Sequence, residues 1–248
     1  QSTYNNPYPY NKNPLLYSRA NFDGIHYISI ARRNYGYGQQ AFFPLYPKLL
    51  KLLNPIFKNF TVTGILISSV SFLLGVYLFS KLISLDNAGP VQKWSLVALL
   101  VFPVAFFFTS VYTEGLFFFF IISSFYSARR SRWWLAGILG FLAAYTRLAG
   151  IFLLPALLAE WWLQKKSFKV LIPLLLIPLG LFLYMSFLHR SSGDSLAFIH
   201  AQKLFGQGRS DKIILPYQVL WRYVKMVATV NRSDPLFLTI LLEFLTGL

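Results

Sequence analysis

The residues best suited to chemistry stand near the start of the chain. Asn21-Phe22-Asp23-Gly24-Ile25-His26-Tyr27 supplies a carboxylate and an imidazole, and Arg32 and Arg33 come shortly after. Asp23 could act as a general base on a hydroxyl, a task that needs hydrogen-bond reach and a pKa suited to the working pH. It could also cap the adjoining helix, worth about 1 kcal/mol; the two roles are compatible. Two more charges interrupt apolar sequence: Glu114 in Tyr112-Thr113-Glu114-Gly115, and Arg147 in Thr146-Arg147-Leu148. They could pair with each other as a structural ion pair. Alternatively, the Arg147 guanidinium is well matched to a phosphate. Arg32 and Arg33 could touch lipid headgroups or a substrate phosphate. His26 and His200, the latter in Gly193-Asp194 through Ala201-Gln202, also fit packing or loop hydrogen-bonding roles.

Composition restricts what can carry these groups. The chain has 248 residues, 56% of them hydrophobic and 12% charged. Soluble domains average about 25% charged residues, so these charges cannot coat a water-exposed globule. The class that fits is an all-α polytopic membrane protein. The net charge of +15 would point to nucleic acid in a soluble domain. Here the basic residues flank apolar spans, so topology and lipid headgroups account for them and no nucleic-acid partner is expected. The chain has no cysteine and three widely spaced histidines, so neither a metal nor another cofactor is expected.

The sequence divides into four parts. Residues 1–60 read as a polar first loop, with residues 1–20 irregular and Asp23 opening a short surface helix. Pro44, Pro47 and Pro55 are expected to break the chain between that helix and the first span. Residues 61–188 form the apolar core, of about six segments. Thr61–Ile83 is long enough to span, since about 20 residues cover a bilayer core of about 30 Å. After a polar break, Leu85–Lys93, the run Trp94–Tyr126 reads as two helices meeting at Thr113-Glu114-Gly115. Ser127–Arg132 reads as a basic loop, Trp133–Trp162 as a second hairpin interrupted at Thr146-Arg147, and Val170–Leu188 as a further span. Residues 189–234 read as an amphipathic loop, and residues 235–248 as the start of a truncated helix. The chain opens on Gln1 and ends in an apolar run, which reads as a fragment.

Basic residues fall on alternate loops, among them Lys81, Lys93, Arg129, Arg130, Arg132, Lys165, Lys166 and Lys169. The positive-inside rule makes those loops cytoplasmic. Residues 1–60, Glu114, Arg147 and the 189–234 loop then share the extracytoplasmic side. From Trp134 to Arg147 a helix covers only roughly 21 Å, less than the hydrocarbon core. Arg147 is therefore expected to be recessed, with Glu114, in an outward cavity roofed by the Asp23 segment.

The blocks Phe22–Ala31, Tyr35-Gly36-Tyr37 and Ala41-Phe42-Phe43-Pro44-Leu45-Tyr46-Pro47 resemble the opening luminal loop of the PIG-V family (GPI mannosyltransferase II-like), in its bacterial branch. Tyr112–Phe117, Thr146–Gly150 and Gly193–Gln202 resemble later blocks in the same order. Phe22 stands where the family often has Trp. Gln39-Gln40 stands where some members have an acid, so Asp23 is the only carboxylate of the loop.

The resemblance implies a GT-C-type transmembrane helical core, with an extracytoplasmic first loop carrying short surface helices. It implies an inverting glycosyltransferase that takes a sugar, mannose by the family name, from a polyprenyl-phosphate carrier. The acceptor would be a lipid, glycan or protein. Asp23 matches the family's catalytic acid. His26, Arg32, Arg33, Tyr46, Glu114, Arg147 and His200 are the candidate substrate contacts. The expected location is a multi-pass position in a bacterial plasma membrane, or in the endoplasmic reticulum of a eukaryote, among membrane lipids. A transporter or flippase using the same cavity is the rival reading.

Overall fold

Helix ends in the computed structural model obey local signals. It describes residues 13–87, 89–205, 216–231 and 234–247. Pro14 opens α1 (Pro14–Tyr17), capped by the Asn13 side chain on Leu16 N at 3.1 Å. A 3₁₀ turn, Ser18–Ala20, comes next. The expectation of an irregular segment is thus corrected for residues 14–20, while residues 1–12 lie outside the described residues. Helix α2 (Asp23–Arg33) begins one residue earlier than a capping Asp23 would allow. Phe22 takes the cap position, at φ 53, and makes no side-chain cap bond. Asp23 is therefore the first helical residue, and its reading as the N-cap is corrected.

The prolines do not break α3 (Leu45–Phe57). Pro44 precedes the helix and Pro47 lies in its first turn, where a backbone N–H has no helical acceptor to lose. Pro55 falls in the last turn, just before the left-handed Lys58. Helix α4 (Phe60–Ile83) is capped by Asn59, which accepts from Thr61 N and Val62 N. Helix α5 (Pro90–Val101) starts inside the expected polar break, because Pro90 suits a first helical position.

The run Trp94–Tyr126 is not two helices meeting at one point. Pro103 disfavours helix in the residue before it, so α5 stops at Val101 and a 3₁₀ segment, Ala105–Thr109, intervenes. Helix α6 (Glu114–Arg129) then carries Ser127, Ala128 and Arg129 within it, leaving only Arg130–Arg132 as the turn. Helix α7 (Trp133–Thr146) runs back, and Arg147 is extended. A 3₁₀ turn (Leu148–Phe152) leads into α8 (Leu153–Leu163). A 3₁₀ segment, Phe168–Leu175, continues into α9 (Leu176–Ser192), which ends at Gly193 with φ 74, a backbone state glycine adopts without strain. Residues 189–192 are thus helical rather than loop. One further turn, α10 (Ala197–His200), completes this part of the chain.

Gln202–Leu248 forms a separate unit. It contains α11 (Pro216–Thr229) and α12 (Pro235–Gly247), joined by a hydrogen bond from Tyr223 Oη to Glu243 Oε2 at 3.0 Å.

The first unit packs as membrane bundles do, with small residues between helices and large apolar ones outside. Gly64, Ser68, Ser71 and Gly75 are buried on α4, and Ala136, Gly137, Gly140, Ala143 and Ala144 on α7. Leu66, Val70, Leu73, Leu74 and Tyr77 face outward on α4. Phe60–Ile83 and Phe168–Ser192 are long and apolar enough to cross a membrane. No strand occurs among the described residues.

Each end of the bundle carries a charge cluster. At one end Arg129 pairs with Asp86, and its Nε lies 3.2 Å from Glu160 Oε1. The hydrogen bond from Arg129 holds the Asp86 carboxyl below the usual carboxylate range. Arg129 is therefore tied into an ion cluster, not a free charge of a basic loop. Helix α6 is 16 residues long, or about 24 Å, so Glu114 lies at the opposite end.

Candidate active site

Asp23, Glu114 and Arg147 gather toward that opposite end, each at a helix terminus that suits the sign of its side chain. Asp23 and Glu114 open α2 and α6, where the helix dipole is positive, and Arg147 stands just past the last residue of α7, where it is negative. Arg147 Nη1 lies 2.5 Å from Glu114 Oε1. The guanidinium also lies over the Phe117 ring, 5.7 Å from its centroid. Arg147 is within electrostatic range of Asp23 as well as Glu114.

Backbone and side-chain cross-links hold the Asp23 segment over this end. Val111 N donates to Arg19 O at 2.9 Å, and Tyr112 Oη donates to Asn21 O at 3.0 Å. Tyr27, one turn after Asp23, is buried, and its hydroxyl lies 3.4 Å from Thr113 Oγ1. That phenol is in range of Asp23, Glu114 and Arg147 at once. Burial pushes its pKa upward, so it stays a neutral hydrogen-bonding group. The 3₁₀ turn after Arg147 fits against α7 because residue 150 is glycine. A Cβ there would lie 2.3 Å from Ala144 N.

The cluster is open rather than sealed. Asp23 is exposed, and the side chains of Arg147 and Glu114 are 40% and 29% exposed. Glu114 Oε2 is nevertheless buried with no hydrogen-bond partner among the described residues. Such an orphan costs about 1–3 kcal/mol unless a ligand or water meets it.

The candidate residues divide. His26 stays beside Asp23: its ring stacks on Phe42 at 4.8 Å. Burial lowers its pKa below 6.5, against the opposing pull of the Asp23 charge. Tyr46, another candidate substrate contact, lies inside the helix packing. It is fully buried, and its hydroxyl bonds internally to Gly64 O and Ser68 Oγ at 3.0 and 2.8 Å. Arg32 and Arg33 lie at the far end of α2, about 14 Å along its axis from Asp23, with Arg32 over the Phe60 ring. The helix rise separates them from the cluster.

His200 closes α10, in the loop after α9. Its Nδ1 is 2.7 Å from Asp194 Oδ2 in its own loop. That bond, with one from Leu196 N, depresses the Asp194 pKa. The neighbouring Phe198 anchors the loop on Phe43 and Tyr184. Sequence reading passed over Tyr27 and Thr113. Tyr27 carries a usable signal, since it lies four residues after Asp23 and so on the same helix face. Thr113 carries none.

The described residues, helical and without strands, gather a carboxylate, an ion pair and the buried Tyr27 phenol at one end of a bundle with outward apolar surface, an arrangement that suits a membrane-associated enzyme. The family model described as Mannosyltransferase (PIG-V) matches residues 10–202, and the chain belongs to that family. It is thus a glycosyltransferase acting on mannose. No curated protein matches the chain, and no solved structure does.

Proposed function

We propose that the chain is the catalytic part of a multi-pass, membrane-embedded inverting mannosyltransferase. It would take the sugar from a polyprenyl-phosphate carrier and pass it to an acceptor hydroxyl on the extracytoplasmic face. Asp23 accepts the proton of that hydroxyl as its oxygen attacks the anomeric carbon. The bond from that carbon to the phosphate oxygen breaks on the opposite side, and the phosphate leaves with the electron pair. A single displacement of this kind inverts the centre. Arg147 neutralises the departing phosphate, the point where charge develops, and Glu114 holds the guanidinium in place. Positioning and charge stabilisation carry much of the rate, because phosphate is a good leaving group.

The observation that supports this reading is the convergence of Asp23, Glu114 and Arg147 from three distant segments. Their opposite signs, one acid apart from the ion pair and a cation able to take an anion, suit base and phosphate roles together. The exposed apolar surface of α4 suits a donor that enters sideways from a bilayer.

The test is Asp23→Asn, assayed as transfer of radiolabelled mannose from a polyprenyl-phosphate donor in membranes. Removing a general base is expected to reduce transfer by about 10²–10⁴-fold, with insertion unchanged and stability lowered by no more than the roughly 0.3–1 kcal/mol of a helix-end charge. Turnover near the parent's would exclude Asp23 as the base.

A further inference from the structure

A cavity of about 260 Å³ lies among the end of α2, the start of α3 and the ends of α7 and α9. Ile30, Pro44, Pro47, Tyr35 and Phe187 make its walls mostly apolar. Two cations, Lys48 and Lys51, also line it, and no acidic side chain does. Lys48 Nζ donates to Tyr145 Oη at 2.6 Å, which fixes the ammonium at that wall.

The outer face of α3 continues the pattern. Leu52 and Ile56 succeed Lys48 at four-residue spacing on one ridge, and they are 70% and 69% exposed. An exposed apolar ridge beside lysines is the pattern of a helix lying in a membrane interface.

One molecule meets both demands, a hydrocarbon chain for the walls and an anion for the lysines. We propose that this cavity binds a lipid phosphate, its phosphate on Lys48 and Lys51 and the first part of its chain between α2, α3 and Phe187. Neither Asp23 nor Arg147 lines the cavity, so the proposal does not depend on the sugar-transfer reading. A bilayer phospholipid and a polyprenyl phosphate share this chemistry.

Native mass spectrometry of the full-length protein separates them. Detergent-purified protein is incubated in parallel with dioleoylphosphatidylglycerol, undecaprenyl phosphate, dioleoylphosphatidylcholine or inorganic phosphate. One of the two anionic lipids should be retained over phosphatidylcholine and should resist displacement by millimolar inorganic phosphate. Phosphatidylglycerol retention identifies a bilayer lipid, and undecaprenyl phosphate retention a carrier lipid. Replacing both lysines (Lys48→Gln with Lys51→Gln) should weaken retention about thirtyfold, equivalent to about 1 kcal/mol for each charge. Lys51→Gln alone, at an exposed position, should give part of that loss and guards against misfolding of the double variant. Equal retention of phosphatidylcholine, release by inorganic phosphate, or retention unchanged in the double variant would each overturn the proposal.

Discussion

The pairing of Glu114 with Arg147 can be tested by a double-mutant cycle with Glu114→Gln and Arg147→Gln. Their contact is 2.5 Å, which puts the charge centres about 4 Å apart. At an effective dielectric of about 20 that separation gives about 4 kcal/mol of attraction. The side chains are 40% and 29% exposed, so water screens the pair, and partial desolvation offsets more. A coupling of about 1–2 kcal/mol is expected. Unfolding free energies in mixed micelles for the parent, both single variants and the double variant supply the cycle. The double variant should recover part of what each single variant loses. A coupling below about 0.3 kcal/mol is indistinguishable from independent sites and would refute the geometry of the cluster.

The same four proteins divide the roles kinetically. Under the proposed mechanism, in which the cation meets the leaving group and the acid holds it, Arg147→Gln should lower the maximal rate of mannose transfer more than Glu114→Gln. If Glu114→Gln abolishes transfer as completely as Asp23→Asn does, the base role passes to Glu114. Gly150→Ala forces a Cβ to 2.3 Å from Ala144 N. The backbone must shift, at a cost of about 1–3 kcal/mol, and Arg147, three residues earlier, should move with it. Melting should fall together with transfer rate, whereas loss of stability alone would show that the turn does not position Arg147. Burial holds the His26 imidazole below its ordinary pKa of 6.5, so the folded state binds this proton less readily than the unfolded chain. The contribution to stability is intact above about pH 6.5 and is lost as the pH falls through the lowered value. The parent should therefore lose more melting temperature between pH 7.5 and pH 5.5 than His26→Gln. An equal loss would place the imidazole in water.

Much of the architecture was legible because the signals are local. The spans Thr61–Ile83 and Val170–Leu188 fall inside helical segments that begin and end within a few residues of them. The break at Thr146-Arg147 is where α7 ends, since a charge interrupts apolar sequence at that point. Helix ends governed by proline were harder to read. Pro47 looks like a breaker in sequence, yet at the first turn it removes no helical hydrogen bond. Pro103 does the opposite, opening a gap between α5 and α6 that the unbroken apolar run conceals. Arg129 read as one more basic loop residue, because its partners Asp86 and Glu160 are distant in the chain.

The sequence by itself determined a helical, charge-poor chain with one early carboxylate and two charges at apolar breaks. Those features rest on composition and on backbone rules that act over a few residues. Only the tertiary structure decided which groups meet. It brought Arg147 onto Glu114 and within range of Asp23, and sealed Tyr46 between α3 and α4. It also set Lys48 against Tyr145 across 97 positions of sequence. Such pairings depend on how helices pack, and packing is decided by the shapes of surfaces drawn from remote parts of the chain, which local sequence does not encode.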